Sequence, residues 1–105
     1  MIQIIKLTYN DDSYGTTDVE VMVCSSFDAA KEVILNVLNK DFEGSWKSLD
    51  EVAEELSEEL TSASWDEEEK AFHWYEDGKG ESYIIGRVNE RKGVNVEFQN
   101  FGVIG

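Results

Sequence analysis

His73 and Cys24, each the sole residue of its type, are the side chains best suited to acid–base or nucleophilic chemistry in this chain of 105 residues. Neither has the company that such chemistry needs. A general base works on a nucleophile or an acidic proton within hydrogen-bond reach. His73 stands in an aromatic stretch beside Trp74 and Tyr75, with no identifiable nucleophile, and reads as a sheet-face histidine. Cys24 closes an alternating stretch, has no neighbouring cation to activate it, and reads as a small apolar residue. Asp11, Asp12 and Asp18 offer hard oxygens to a cation. With Gly15 as the turn glycine of a calcium loop, however, the fifth position falls on Tyr14 and the last on Val21, neither of them a carboxylate. Gly78-Lys79-Gly80 leads into a strand and not a helix, so it is no phosphate loop. No HExxH or GxSxG is present. The expectation is a protein that is not an enzyme, without cofactor or metal.

The remaining chemistry is charge. The chain carries 23 Asp and Glu against 9 Lys and Arg, a net charge of -14. Residues 41 to 81 hold 15 of the acids and 3 of the bases. Within them, Ser48 to Glu69 has ten acids and no base. Such a balance disfavours direct binding of nucleic acid, which needs clustered Lys and Arg, and of anionic membrane. It favours a basic protein surface. A charge that served solubility alone would intersperse both signs.

The acids of this run are held by a helix. Ser48 opens it with a capping-box pattern, its hydroxyl accepting from the N–H of Glu51 and Glu51 reaching back to Ser48. Leu49, Val52, Ala53, Leu56 and Leu60 make the apolar stripe. Asp50, Glu54 and Glu58 form one acidic row, and Glu51, Glu55 and Glu59 the next. Six charges over a rise of about 13.5 Å give one per about 2.3 to 2.7 Å. Duplex DNA shows one per about 1.7 Å over both strands, and one per about 3.4 Å on a single strand. The row has a cost: six like-charge pairs at i,i+3 and i,i+4 oppose the helix by about 1 to 3 kcal/mol. A second cluster, Asp66-Glu67-Glu68-Glu69, follows with Trp65 beside it.

The other elements follow from period. Met1 to Tyr9 and Asp18 to Cys24 alternate as strands joined by a Gly15-containing turn. Ser25 and Ser26 can cap a helix whose stripe is Phe27, Ala30, Ile34, Val37 and Leu38, stopping near Lys40. Ala71 to Glu76, Ser82 to Asn89 and Val94 to Phe101 read as three further strands, joined by Asp77–Gly80 and Glu90–Gly93. The order β-β-α-α-β-β-β predicts one α+β domain over residues 1–105, an antiparallel sheet with two helices packed on one face. The single cysteine, together with the lack of a signal peptide or an apolar run long enough to cross a bilayer, points to the cytoplasm.

Through Asp50–Glu59 and Asp66–Glu69, the chain resembles the small acidic antagonists of phages and mobile elements, which include DNA mimics and anti-CRISPR proteins. The resemblance is one of composition and covers about a fifth of the chain. It implies an inhibitor of anti-CRISPR or anti-restriction type. Such a protein occupies the basic groove of a nuclease or DNA-binding protein as a monomer or small homo-oligomer. The partner-binding residues would be Asp50, Glu51, Glu54, Glu55, Glu58, Glu59, Trp65, Asp66, Glu67, Glu68 and Glu69, with Trp65, Trp46 and Phe42 as anchors. Two alternatives stay open. One is an immunity-type protein neutralising a cognate toxin. The other is a self-assembling accessory protein whose charge confers only solubility.

Overall fold

In the computed structural model, residues 1–10 and 15–87 are described. Seven elements follow in order: β1 (Ile2–Asn10), β2 (Gly15–Cys24), α1 (Phe27–Asp41), α2 (Leu49–Glu59), β3 (Ser62–Asp66), β4 (Ala71–Glu76) and β5 (Lys79–Arg87). The strands make one antiparallel sheet in the order β2-β1-β5-β4-β3. β1 has buried apolar side chains on both faces: Ile2 and Ile4 on one, Ile5 and Leu7 on the other. A strand of that kind belongs inside a sheet, and β1 lies between β2 and β5.

Both helices pack on the face that carries Ile2, Ile4, Phe72, Tyr83 and Ile85. α1 begins at Ser26, whose hydroxyl accepts from the Ala29 N–H at 3.1 Å. It buries Ala30, Ile34, Leu35 and Leu38, while Phe27 and Val37 are half-buried. It runs to Asp41, one residue past the expected stop. α2 has eleven residues, too few to hold as an isolated helix in water, and is kept by burial of Leu49, Val52 and Leu56.

The expected fold class and element order are those observed. The three strands after the helices are not the expected three. The first is β3, in a stretch that reads in sequence as a break. Ala71–Glu76 is β4, as expected. β5 starts at Lys79, three residues before the expected Ser82, because the β4–β5 connection is the dipeptide Asp77-Gly78. Both residues have positive φ, 47° and 83°, as the tight hairpin turn of an Asp-Gly pair requires. Gly80 then pairs with Tyr75, where a Cβ would stand 2.5 Å from the Trp74 carbonyl oxygen. β2 likewise starts earlier than expected, at Gly15. The expected strand Val94–Phe101 and the Glu90–Gly93 connection lie outside the described residues.

Candidate interaction surface

α2 lies along β3 at one margin of the sheet. Its N-cap is Ser48, whose hydroxyl accepts from the Glu51 N–H at 3.2 Å. The return bond of the capping box goes one residue further out than expected. The Glu51 carboxylate accepts from the Lys47 N–H at 2.7 Å, not from that of Ser48. The same row supplies an acceptor for the connection between the helices: the Trp46 indole N–H donates to Glu55. Trp46 is itself held by Asn39, which accepts from its N–H at 2.8 Å and donates to its carbonyl at 3.0 Å.

All six helix acids are exposed. Glu51 and Glu55 are thus partly spent on local structure. Asp50, Glu54, Glu58 and Glu59 have no ion pair and no side-chain hydrogen bond among the described residues. In the turn after β3, Asp66 accepts from the N–H groups of Glu68 and Glu69 at 2.9 and 3.0 Å, closing the turn. Glu67 is not free of bases: Lys31 reaches it at 3.3 Å and Lys70 at 3.7 Å. Glu68 and Glu69 point charge outward without a partner among the described residues. The eleven residues expected to bind a partner therefore divide. Six acids are unengaged: Asp50, Glu54, Glu58, Glu59, Glu68 and Glu69. The other four acids support the local fold.

The aromatic anchors belong to the core margin. Trp65, Trp46 and Phe42 are half-buried and packed against the core cluster. Phe42 meets Trp74 edge-on at 5.3 Å, and the Lys31 ammonium lies 5.5 Å from the centre of the Trp65 ring. Between the N-terminal halves of the helices a cavity of about 310 Å³ is lined by Asp28, Lys31, Glu32, Lys47, Asp50 and Trp65. Its charge is mixed. The base-free surface therefore begins beyond it, along Glu54, Glu58 and Glu59.

Two polar clusters were not legible in sequence. On the helix side of the sheet, Glu81 accepts from Trp74 at 3.1 Å and from the Tyr83 hydroxyl at 2.8 Å, and pairs with Lys6 at 3.2 Å. Burial opposes the Lys6 ammonium. The hydrogen bond and charge of Glu81, with Glu20 and Asp41 behind it, outweigh that and raise its pKa. Burial and then Glu81 push the Tyr83 phenol well above its ordinary value. On the opposite face, Ser82 Oγ lies 2.6 Å from His73 Nδ1 and 2.8 Å from the Tyr9 hydroxyl. His73 is exposed on that face, and it does have a hydroxyl in reach. Ser82 is 2 % exposed, however, and its one proton and its lone pairs are committed to these neighbours. The arrangement ties β1, β4 and β5 together. Cys24 ends β2 and packs against the core. Asp18 accepts from the N–H of Val19 at 3.0 Å, and Asp11 and Asp12 lie outside the described residues. No group of three metal-ligating side chains occurs among the described residues.

The described residues thus define an α+β protein that presents an acidic helix at one margin of a five-stranded antiparallel sheet. Neither a protein-family model, nor a curated protein, nor a solved structure matches the chain. No helix among the described residues is long and apolar enough to cross a membrane.

Proposed function

We propose that the protein is a non-enzymatic inhibitor whose acidic helix stands in for a nucleic-acid backbone in the basic groove of a nuclease or DNA-binding protein. One observation carries the reading. Glu54, Glu58 and Glu59 line an exposed, base-free face of α2, and Asp50, at the rim of the mixed-charge cavity that precedes it, makes no ion pair among the described residues. Like-charge pairs among these carboxylates oppose the helix that bears them, and a protein that needed only solubility would have placed a Lys at one of the i+4 positions. Complementary charge speeds encounter with a basic groove and makes the complex salt-sensitive. The division of the acids sharpens the binding set to those four, with Glu68 and Glu69 at its margin.

The test immobilises the protein beside a variant carrying Asp50→Asn, Glu54→Gln, Glu58→Gln and Glu59→Gln. Both are exposed to a bacterial lysate. The wild type is expected to retain a basic nucleic-acid-binding protein that is released by duplex DNA or by high salt, and the variant to lose it. A captured protein that duplex DNA does not displace, or that binds the variant equally well at ordinary salt, would falsify the mimicry.

A further inference from the structure

We propose that two copies of this chain associate through β2, edge to edge and antiparallel about Val21, so that the five described strands of each copy join in one continuous sheet. The inference rests on β2 and is independent of the acidic face.

β2 is an edge strand of ten residues with no Lys and no Pro, and among the described residues nothing pairs with its outer side. Edge strands are ordinarily protected by shortness, by Lys or Pro, or by a bulge. The register irregularity of the β1–β2 pair lies at Thr8/Tyr9, at the far end from Val21 and Val23. Those two valines stand on the helix-free face and are 51 % and 59 % exposed, the most exposed large apolar side chains apart from Met1 among the described residues.

A second copy fits this edge by self-complementarity. With Val21 opposite its symmetry mate, Val19 falls opposite Val23, Glu20 opposite Met22 and Asp18 opposite Cys24. Every valine meets a valine, and no acid meets an acid. Centring one residue earlier would set Glu20 against itself, which is destabilising. Centring one residue later would leave Val19 facing Ser25.

The charge distribution permits the association. The acidic helix lies over β3, at the opposite edge of the sheet from β2. Four strand spacings of about 4.8 Å separate the edges, so joining two β2 edges leaves the acidic faces about 40 Å apart. That is several times the Debye length of about 8 Å at physiological salt. Near β2 itself, one of the two acids, Glu20, has Lys6 at 3.8 Å.

The test is sedimentation velocity on the full chain over a wide concentration range, with hydrogen exchange of the β2 amides read in parallel. The expected species is twice 11.9 kDa. Val21→Lys places like charges opposite each other and is expected to raise the dissociation constant about tenfold or more, with an unchanged thermal melt when both proteins are compared as monomers at low concentration. Val21→Glu does the same alone, and mixing the two variants restores the dimer. A wild type that stays monomeric at every concentration overturns the proposal. So does a Val21→Lys protein that remains dimeric, and so does a mixture no better associated than its components. If either variant fails to fold, the wild-type amides decide. Protection along β2 that rises with concentration supports the pairing, and protection independent of concentration overturns it.

Discussion

The two edges of the sheet are built on opposite terms. β3 is five residues long, alternates Ser62, Ser64 and Asp66 with Ala63 and Trp65, and lies beneath a helix with six exposed acids. β2 is twice as long, carries Val19, Val21 and Val23 on one face, and has only Asp18 and Glu20 for charge among residues 18–24. Shortness and like charge keep another strand away from β3; neither device is present at β2. The sheet thus separates a charged margin suited to a partner of opposite sign from an apolar margin suited to its own kind. The β1–β5–β4 centre holds them apart, and there Ile4, Phe72 and Tyr83 are wholly buried.

This separation implies that the charged margin depends on packing beneath it while the apolar margin does not. Leu56 is 1 % exposed and is the lower surface of α2. Leu56→Ala is expected to cost about 2 to 5 kcal/mol, the range for a buried leucine. Val21→Ala, at the exposed edge, should stay within about 0.5 kcal/mol of wild type when measured on the monomer. Urea denaturation followed by far-UV circular dichroism reads both. Equal losses at the two positions would break the comparison.

The next contrast is electrostatic. The variant with Asp50→Asn, Glu54→Gln, Glu58→Gln and Glu59→Gln removes every like-charge pair of α2 at i,i+3 and i,i+4 except Glu51/Glu55. Relief of about 0.2 to 0.5 kcal/mol per pair is offset by about 0.3 to 1 kcal/mol lost where Asp50 meets the helix N-terminus. A net gain of about 1 kcal/mol is expected, shrinking as salt is added. A variant less stable than wild type at low salt would mean that these carboxylates have partners that stabilise α2.

Between the edges, the Lys6–Glu81–Tyr83 cluster gives the fold an alkaline limit. Both raised pKa values belong to groups that hold their protons more tightly when folded. The unfolded chain releases them from about pH 10, so stability is full below that and falls as pH rises toward the folded values. Urea midpoints taken between about pH 9 and about pH 11 should decline, and Tyr83→Phe should make the decline shallower. A flat profile in wild type would refute the cluster's role.

What sequence made legible follows the same division. Ser26 and Ser48 announce their helices because a capping hydroxyl is a local device, and the stripes of α1 and α2 repeat at helical spacing over several turns. β1 and β2 show because β-branched residues alternate along them. β3 is silent in the sequence because only Ala63 and Trp65 are partly covered while the intervening Ser62, Ser64 and Asp66 are exposed, which leaves no apolar run. The start of β5 is obscured although Asp77-Gly78 is a hairpin signal, because Gly80 extends the turn-like composition into the strand. The acidic rows were visible as spacing. Which carboxylates bind Trp46, Lys47 or Lys31 was not, because those bonds depend on the path of the 42–48 connection and on the docking of α1 against β3.

The smallest expected effect is the sharpest on sign. Glu20 on β2 and Glu58 on α2 are both exposed carboxylates, and removing the charge of either leaves the backbone untouched. Glu20 faces Lys6 at 3.8 Å, whereas Glu58 faces other acids along its helix. Glu20 is 59 % exposed, so solvent and salt screen the pair, and its worth is that of a surface ion pair, about 0.2 to 1 kcal/mol. Lys6 also keeps Glu81, its nearer partner at 3.2 Å, which places Glu20→Gln at the low end, a loss of about 0.3 kcal/mol. Glu58→Gln should instead gain a similar amount, from two like-charge neighbours, Glu54 and Glu55. The measurement is the difference in urea midpoint at low and at high salt. Added salt should bring both variants toward wild type from opposite sides. Two shifts of the same sign would mean that charge is not partitioned between the edges in the way their neighbours imply.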